Sequence, residues 1–290
     1  MSELEKIQSE VNQIYYDHLA KYEGGLNLSF PHVPLISEAY LKNRIIIIGQ
    51  ETSTWYRKGD DDLMNVYLKN YQSSPDFDPT VYYREFVDGL SGANRGFWKF
   101  SKKLYDESVI SGPIQENGYL NHCWINLFSV EAIPKKGSKG KEKIDGQPTQ
   151  NKKLRKEVLK LQDSLLYDLM VILKPKILIA LTGHKLNGVL FADSLGLSFE
   201  GGKNHMIWKN VDPNGILVHR NISEVEIIEE NHPLRETKII QAYHPNYFMG
   251  RINTIKKLLR GLEENKIDMS TSNYYQKVLL DWIRNQLQSN

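Results

Sequence analysis

The chain has almost no cysteine. Cys123 stands alone, which rules out an intramolecular disulfide and any metal or iron–sulfur site built on several thiolates. In the run Cys123-Trp124-Ile125 it reads as a small core residue. There is little net charge: 37 basic against 35 acidic side chains, a formal +2. No global field therefore announces a polyanionic partner, and any such partner must be met by a local patch. Long apolar runs are missing too. The longest, Leu169 to Leu181, is broken by Lys174-Pro175-Lys176 and is too short to cross a bilayer, so no membrane partner is expected. The opening residues Met1-Ser2-Glu3-Leu4-Glu5-Lys6 lack the charged-then-apolar order of a secretory leader. The expected location is cytoplasmic, or nuclear in a eukaryote. No internal repeat is visible. The histidines show no metal-ligand spacing, so neither a metal nor another cofactor is expected.

What is present is a series of short β-branched runs that break at polar turns. Arg44–Ile48 leads into Gly49-Gln50-Glu51-Thr52-Ser53, and Ile239–Ala242 into Tyr243-His244-Pro245-Asn246. His122 to Phe128 and Ile177–Leu181 are two further runs of this kind. Continuous apolar runs suit strands buried on both faces of a parallel sheet. Helical spacing marks Leu4–Leu19, Phe97–Tyr105, Lys153–Leu173, Gly183–Phe191, Ile252–Glu264 and Tyr274–Gln286. Short β candidates lie at 215–219 and Val225–Ile228. Residues 55–93 read as an insertion with short helices. Residues 134–153 hold seven lysines among Gly, Ser and Pro, the composition of a mobile basic loop. Alternating strands and helices predict an α/β fold, three-layer α/β/α with a mainly parallel central sheet. No linker is evident, so residues 1–290 are read as a single elaborated domain with its core at about 40–260.

In open α/β sheets, ligands bind beyond the carboxyl ends of the strands. Glu51 and His244 follow two such ends, and Asn126 closes a third. These residues carry a resemblance. Gly49-Gln50-Glu51 resembles the first motif of the uracil-DNA glycosylase superfamily, and His244-Pro245-Asn246 resembles the second. Trp124-Ile125-Asn126-Leu127-Phe128-Ser129-Val130 is similar to the strand whose terminal Asn reads the base. Ala93-Asn94-Arg95-Gly96-Phe97-Trp98-Lys99 and Ile177–Gly183 are similar to two further segments, in the same order. The chain departs from the best-known branch in three places. It has Thr52 where that branch has proline, Glu51 where it has Asp, and Ser53 where it has a tyrosine that excludes a 5-methyl group.

The resemblance implies a uracil-DNA glycosylase-like fold and a hydrolase that cleaves the N-glycosidic bond of an extruded base, a pyrimidine by class, with DNA as partner. Glu51 would stabilise the oxocarbenium-like sugar and orient water, and His244 would donate to the base oxygen. Asn126 would read the base edge, with Gln50 contributing its backbone amide and Ser53 leaving room at the 5-position. Trp55, Tyr56 or Phe128 would stack on the base. After the His-Pro motif, Tyr247, Phe248 or Met249 would wedge into the duplex, with Arg251 on a phosphate. Lys135 and Lys136, with the rest of the lysine loop, would meet further phosphates.

Each residue also has a plainer reading. Glu51 could sit near exposed helix amides, His244 could be a turn residue before proline, and Asn126 could satisfy backbone groups. Phe248 and Met249 could pack in the core, and the lysine loop could simply be solvated. A non-catalytic member of the same fold that binds nucleic acid or a protein is the alternative, and Thr52 and Ser53 fit it.

Overall fold

The structure is a computed structural model that describes residues 1–50, 62–88, 96–106, 122–133, 147–183, 191–197, 205–218, 220–243 and 252–288. At its centre is a six-stranded sheet in the order β2-β1-β3-β6-β5-β4. The strands are β1 (Ile45–Gly49), β2 (Cys123–Asn126), β3 (Ile177–Ala180), β4 (Met206–Lys209), β5 (Ile222–Ile227) and β6 (Lys238–Ala242). The four expected runs form the adjacent strands β2, β1, β3 and β6, all parallel. β5 and β4 extend the sheet antiparallel.

Every residue of β1, β2 and β3 is buried. Because successive side chains alternate between faces, both faces must be covered. The registers assign the faces. Trp124, Ile47, Ile179 and Ile240 lie in one row, and Cys123, Ile46, Leu178 and Ile239 lie in a row on the other side.

Helices cover both. Over the first row, Phe86 of α4 (Val81–Asp88) and Trp98 of α5 (Gly96–Asp106) pack on the Trp124 ring. α10 (Thr271–Gln288) reaches the same face, where Trp282 Nε1 donates to Glu224 Oε2 at 2.9 Å. Over the second row, α1 (Glu3–Leu19) buries Tyr15 in the neighbourhood of Cys123. α1 in turn packs along α7 (Leu165–Leu173), where His18 Nε2 and Asp168 Oδ2 are 2.8 Å apart. A capping box starts α1: Glu5 N donates to Ser2 Oγ and Ser2 N to Glu5 Oε2. The remaining helices are α2 (Glu38–Asn43), α3 (Leu63–Ser73), α6 (Lys152–Leu161), α8 (Ala192–Ser194) and α9 (Ile252–Glu264). Among the described residues, the buried apolar side chains of both faces form one cluster.

The structure corrects three details. The helix expected over Lys153–Leu173 is two helices: the first ends at Leu161 with Gln162 as its C-cap, and the second starts at Leu165 after Ser164, which takes a left-handed φ of 59°. β4 at Met206–Lys209 is an additional edge strand, and residues 215–218 form no strand, since an Asp212-centred turn occupies that stretch. The helix expected at Gly183–Phe191 falls mostly outside the described residues; the basic loop expected at 134–153 is described only from residue 147, where its Lys152 and Lys153 begin α6 instead. No described helix is long and apolar enough to cross a membrane, and no described group of three or more His, Cys, Asp or Glu side chains is placed to hold a metal ion.

Candidate functional site

Parallel alignment brings four carboxyl ends to one edge. Gln50 leaves β1, Asn126 ends β2, Thr182 follows β3 and Tyr243 leaves β6. β1 and β6 are separated only by β3, so their ends stand about 10 Å apart at two strand spacings. Glu51 and His244, the residues next in sequence, lie outside the described residues. So do Ser53, Trp55, Tyr56, Lys135, Lys136, Tyr247, Phe248, Met249 and Arg251.

The edge is tied together by hydrogen bonds that continue past the strands. Leu127 N donates to Gly49 O and Phe128 N to Gln50 O, both at 2.9 Å, and Leu181 N donates to Ile48 O at 2.8 Å. The Gln50 side-chain Nε2 donates to Thr182 O. Tyr275 of α10 donates its hydroxyl to Tyr243 O. Gly183 has a φ of +74°, and a Cβ there would meet Gln50 Nε2 at 3.2 Å and the Tyr243 ring at 3.4 Å. The end of β3 is thus in contact with those of β1 and β6.

Asn126 is the best-defined site residue. It is 4% exposed. Its Oδ1 accepts from Trp124 Nε1 at 3.0 Å. The two side chains are on one face because they are two residues apart in a strand. Gly49 is directly opposite Asn126, and a Cβ at Gly49 would lie 2.5 Å from that Oδ1. Only a residue without a side chain leaves the carboxamide its room. The indole N–H can only donate, which fixes oxygen as the carboxamide atom facing it. Nδ2 then points away, buried and without a hydrogen-bond partner. A buried donor left unpaired is unfavourable by about 1–3 kcal/mol, so this amide is set for an acceptor that the described residues do not supply.

Trp124 is held in its turn. The His32 ring lies 4.2 Å from it and the Trp98 ring 4.8 Å, edge-on. His32 is brought there by a strand-like pairing of two loops, with Ser29 N donating to Glu131 O and His32 N to Ser129 O. Burial pushes the His32 pKa down to about 3, so the imidazole packed on Trp124 is neutral. The chain just after Asn126 is clamped by Gln162: its Nε2 donates to Leu127 O at 2.5 Å, and its Oε1 accepts from Ser129 N and Oγ.

The structure therefore brings Gln50 and Asn126 to one edge with Tyr243, the residue before His244. Gln50 uses its carbonyl and side chain to join strands. Phe128 is wholly buried, with no exposed ring surface. Sequence reasoning missed Trp124, Gln162, Tyr275 and His32. Trp124 carried a signal, its two-residue offset from Asn126 in a strand. The others are joined to the site only through tertiary contacts. No protein-family model matches the chain, and no curated protein matches it at a significant level.

Proposed function

We propose that the protein is a DNA glycosylase-like hydrolase of the uracil-DNA glycosylase-like fold, which extrudes a pyrimidine and cleaves its N-glycosidic bond. The observation that carries this reading is the buried, unpaired amide donor of Asn126 at the shared carboxyl edge of the parallel strands. The ends of β1 and β6, from which Glu51 and His244 follow, flank that edge. In this reading Glu51 supports positive charge building on the sugar, while His244 donates to the oxygen of the departing base. Asn126 holds the base edge.

DNA as partner is supported by α6. Lys152, Lys153, Arg155, Lys156 and Lys160 lie on this helix with a single acid, Glu157. None of the five cations has an acidic partner among the described residues, and Gln162, directly after the helix, is bonded to the chain beside Asn126. Unpaired cations near a candidate site are suited to phosphates.

The test is release of uracil, thymine and 5-hydroxymethyluracil from oligonucleotides, read as alkali-labile abasic sites. Wild type should release base, and His244→Ala and Glu51→Gln should each lower turnover by about a hundredfold or more while DNA binding persists, since both act on charge that develops in the transition state. With Ser53 in place of a tyrosine, 5-substituted bases should be accepted, and Ser53→Tyr should restrict release to uracil. DNA binding without release of any base would transfer the protein to the non-catalytic reading.

A further inference from the structure

Resting on the reading of Asn126 as the base-contacting residue, we infer that Trp124 is a specificity-determining positioning residue. Its indole N–H locks the Asn126 carboxamide so that the site accepts a ligand edge through a carbonyl oxygen and rejects one presenting an amine. A carboxamide is nearly symmetric in shape, and either end can face a ligand unless something fixes it. Here the fixing group is known. Trp124 Nε1 donates to Asn126 Oδ1 at 3.0 Å, and a donor there is incompatible with the flipped carboxamide, which would set two N–H groups against each other. Rotation of the indole itself is opposed by the rings around it, with His32 at 4.2 Å, Trp98 at 4.8 Å, Tyr83 at 5.7 Å and Phe86 at 5.9 Å. The opposite wall is backbone, because Gly49 lies where any side chain would strike Oδ1.

The remaining polar group of the carboxamide is therefore a buried NH2 that can only donate and has no partner. A carbonyl on the ligand completes it. An amine in the same place meets a second donor: it loses the partner it had in water, and Nδ2, already unpaired, gains none. The chemistry selects a 4-oxo over a 4-amino pyrimidine edge. The agent of selection is Trp124, which never touches the ligand.

Trp124→Phe removes the N–H and keeps most of the ring packing. The probes are free uracil and free cytosine, their dissociation constants measured by ligand-observed NMR on the full chain, beside base release from oligonucleotides bearing either base. Wild type should favour uracil by about tenfold to a hundredfold, the range expected for one mismatched buried donor. In Trp124→Phe the carboxamide is free to turn, so that ratio should shrink towards unity through a gain in cytosine binding. Thermal unfolding of the variant checks that it remains folded. Should it unfold, a second readout applies to wild type and Asn126→Ala: the Trp124 indole N–H should exchange slowly in wild type and lose protection in Asn126→Ala. An unchanged uracil-to-cytosine ratio in folded Trp124→Phe overturns the inference. So does equal weakening of both bases, which marks a purely structural role, and so does a wild type that binds neither base or an indole N–H unaffected by Asn126→Ala. Selective binding of uracil without its release from DNA sinks the glycosylase reading alone and leaves the role of Trp124 standing.

Discussion

At Gly49 a single hydrogen atom takes the place of a side chain and thereby determines what Asn126 can do. Adding a methyl group would set carbon 2.5 Å from Asn126 Oδ1 and 3.0 Å from Trp124 Nε1. Neither partner can yield easily, since the carboxamide is 4% exposed and the indole is packed among four rings. Gly49→Ala should therefore destabilise the fold by about 1–3 kcal/mol, the usual range for overpacking a close-packed interior, and should break the indole-to-carboxamide bond. A lowered urea midpoint with faster exchange of the Trp124 indole N–H would bear this out; an unchanged midpoint and exchange rate would show that the wall has slack. Part of this arrangement was legible in the sequence. Asn126 at the end of an apolar run signals a side chain held at the carboxyl end of a strand. What approached the glycine was not legible, because the β1–β2 register that sets Gly49 against Asn126 is fixed by the rest of the sheet. His32 shows the same gap from the other direction. It touches Trp124 across more than ninety residues of chain through a loop pairing that has no local signature.

Among the elements, the four central strands were readable because a strand buried on both faces must be apolar throughout, and few other segments of this chain are. β4 escaped for the same physical reason. It lies at the edge, with Ile207 and Lys209 exposed, so burial imposes no continuous pattern on it. The break between α6 and α7 escaped because Ser164 adopts its left-handed φ without a glycine to mark it. For the proposed contact with DNA, α6 is the element that matters most. Its buried stripe of Leu154 and Val158 fixes the helix, while Lys152, Lys153, Lys156 and Lys160 are exposed. Replacing these four lysines with glutamine should weaken DNA binding about equally for all sequences. The slope of log affinity against log salt should fall by about 0.9 for each duplex phosphate that the variant no longer neutralises. Fluorescence-anisotropy titrations at several salt concentrations measure both quantities. A variant with wild-type affinity and slope would exclude α6 from the DNA interface.

For the molecule as a whole, burial of two histidines links the fold to pH. His32 is 0% exposed and His122 is 1% exposed, and desolvation lowers both pKa values from the ordinary 6.5 to about 3. His122 keeps a contact with Ser101 Oγ at 3.2 Å. One ring packs on Trp124 and the other precedes β2, so both titrations bear on the strand that carries Asn126. Between pH 6.5 and 3 the unfolded chain binds protons at these positions that the folded chain excludes. Stability from this source is complete above pH 6.5 and is lost as pH falls toward 3, at up to about 1.4 kcal/mol per pH unit for each histidine. Asp78 acts in the same direction at lower pH. Burial works to raise its pKa, but hydrogen bonds from the Thr80 hydroxyl and amide and the charge of Arg84 outweigh this and lower it. Its contribution is therefore lost as pH falls below the normal carboxylate range. Urea midpoints should be level between pH 7.5 and 6.5 and should drop steeply from 6.5 to 4.5. His122→Asn should roughly halve that slope, since one of the two excluded protons no longer exists, while shifting the midpoint at pH 7.5 far less than at pH 4.5. A midpoint constant from pH 6.5 to 4.5 in wild type would mean that the two imidazoles accept protons in the folded state. The neutral wall behind Trp124 would then be charged, and the dry setting on which the proposed selectivity of the Asn126 amide rests would be lost with it.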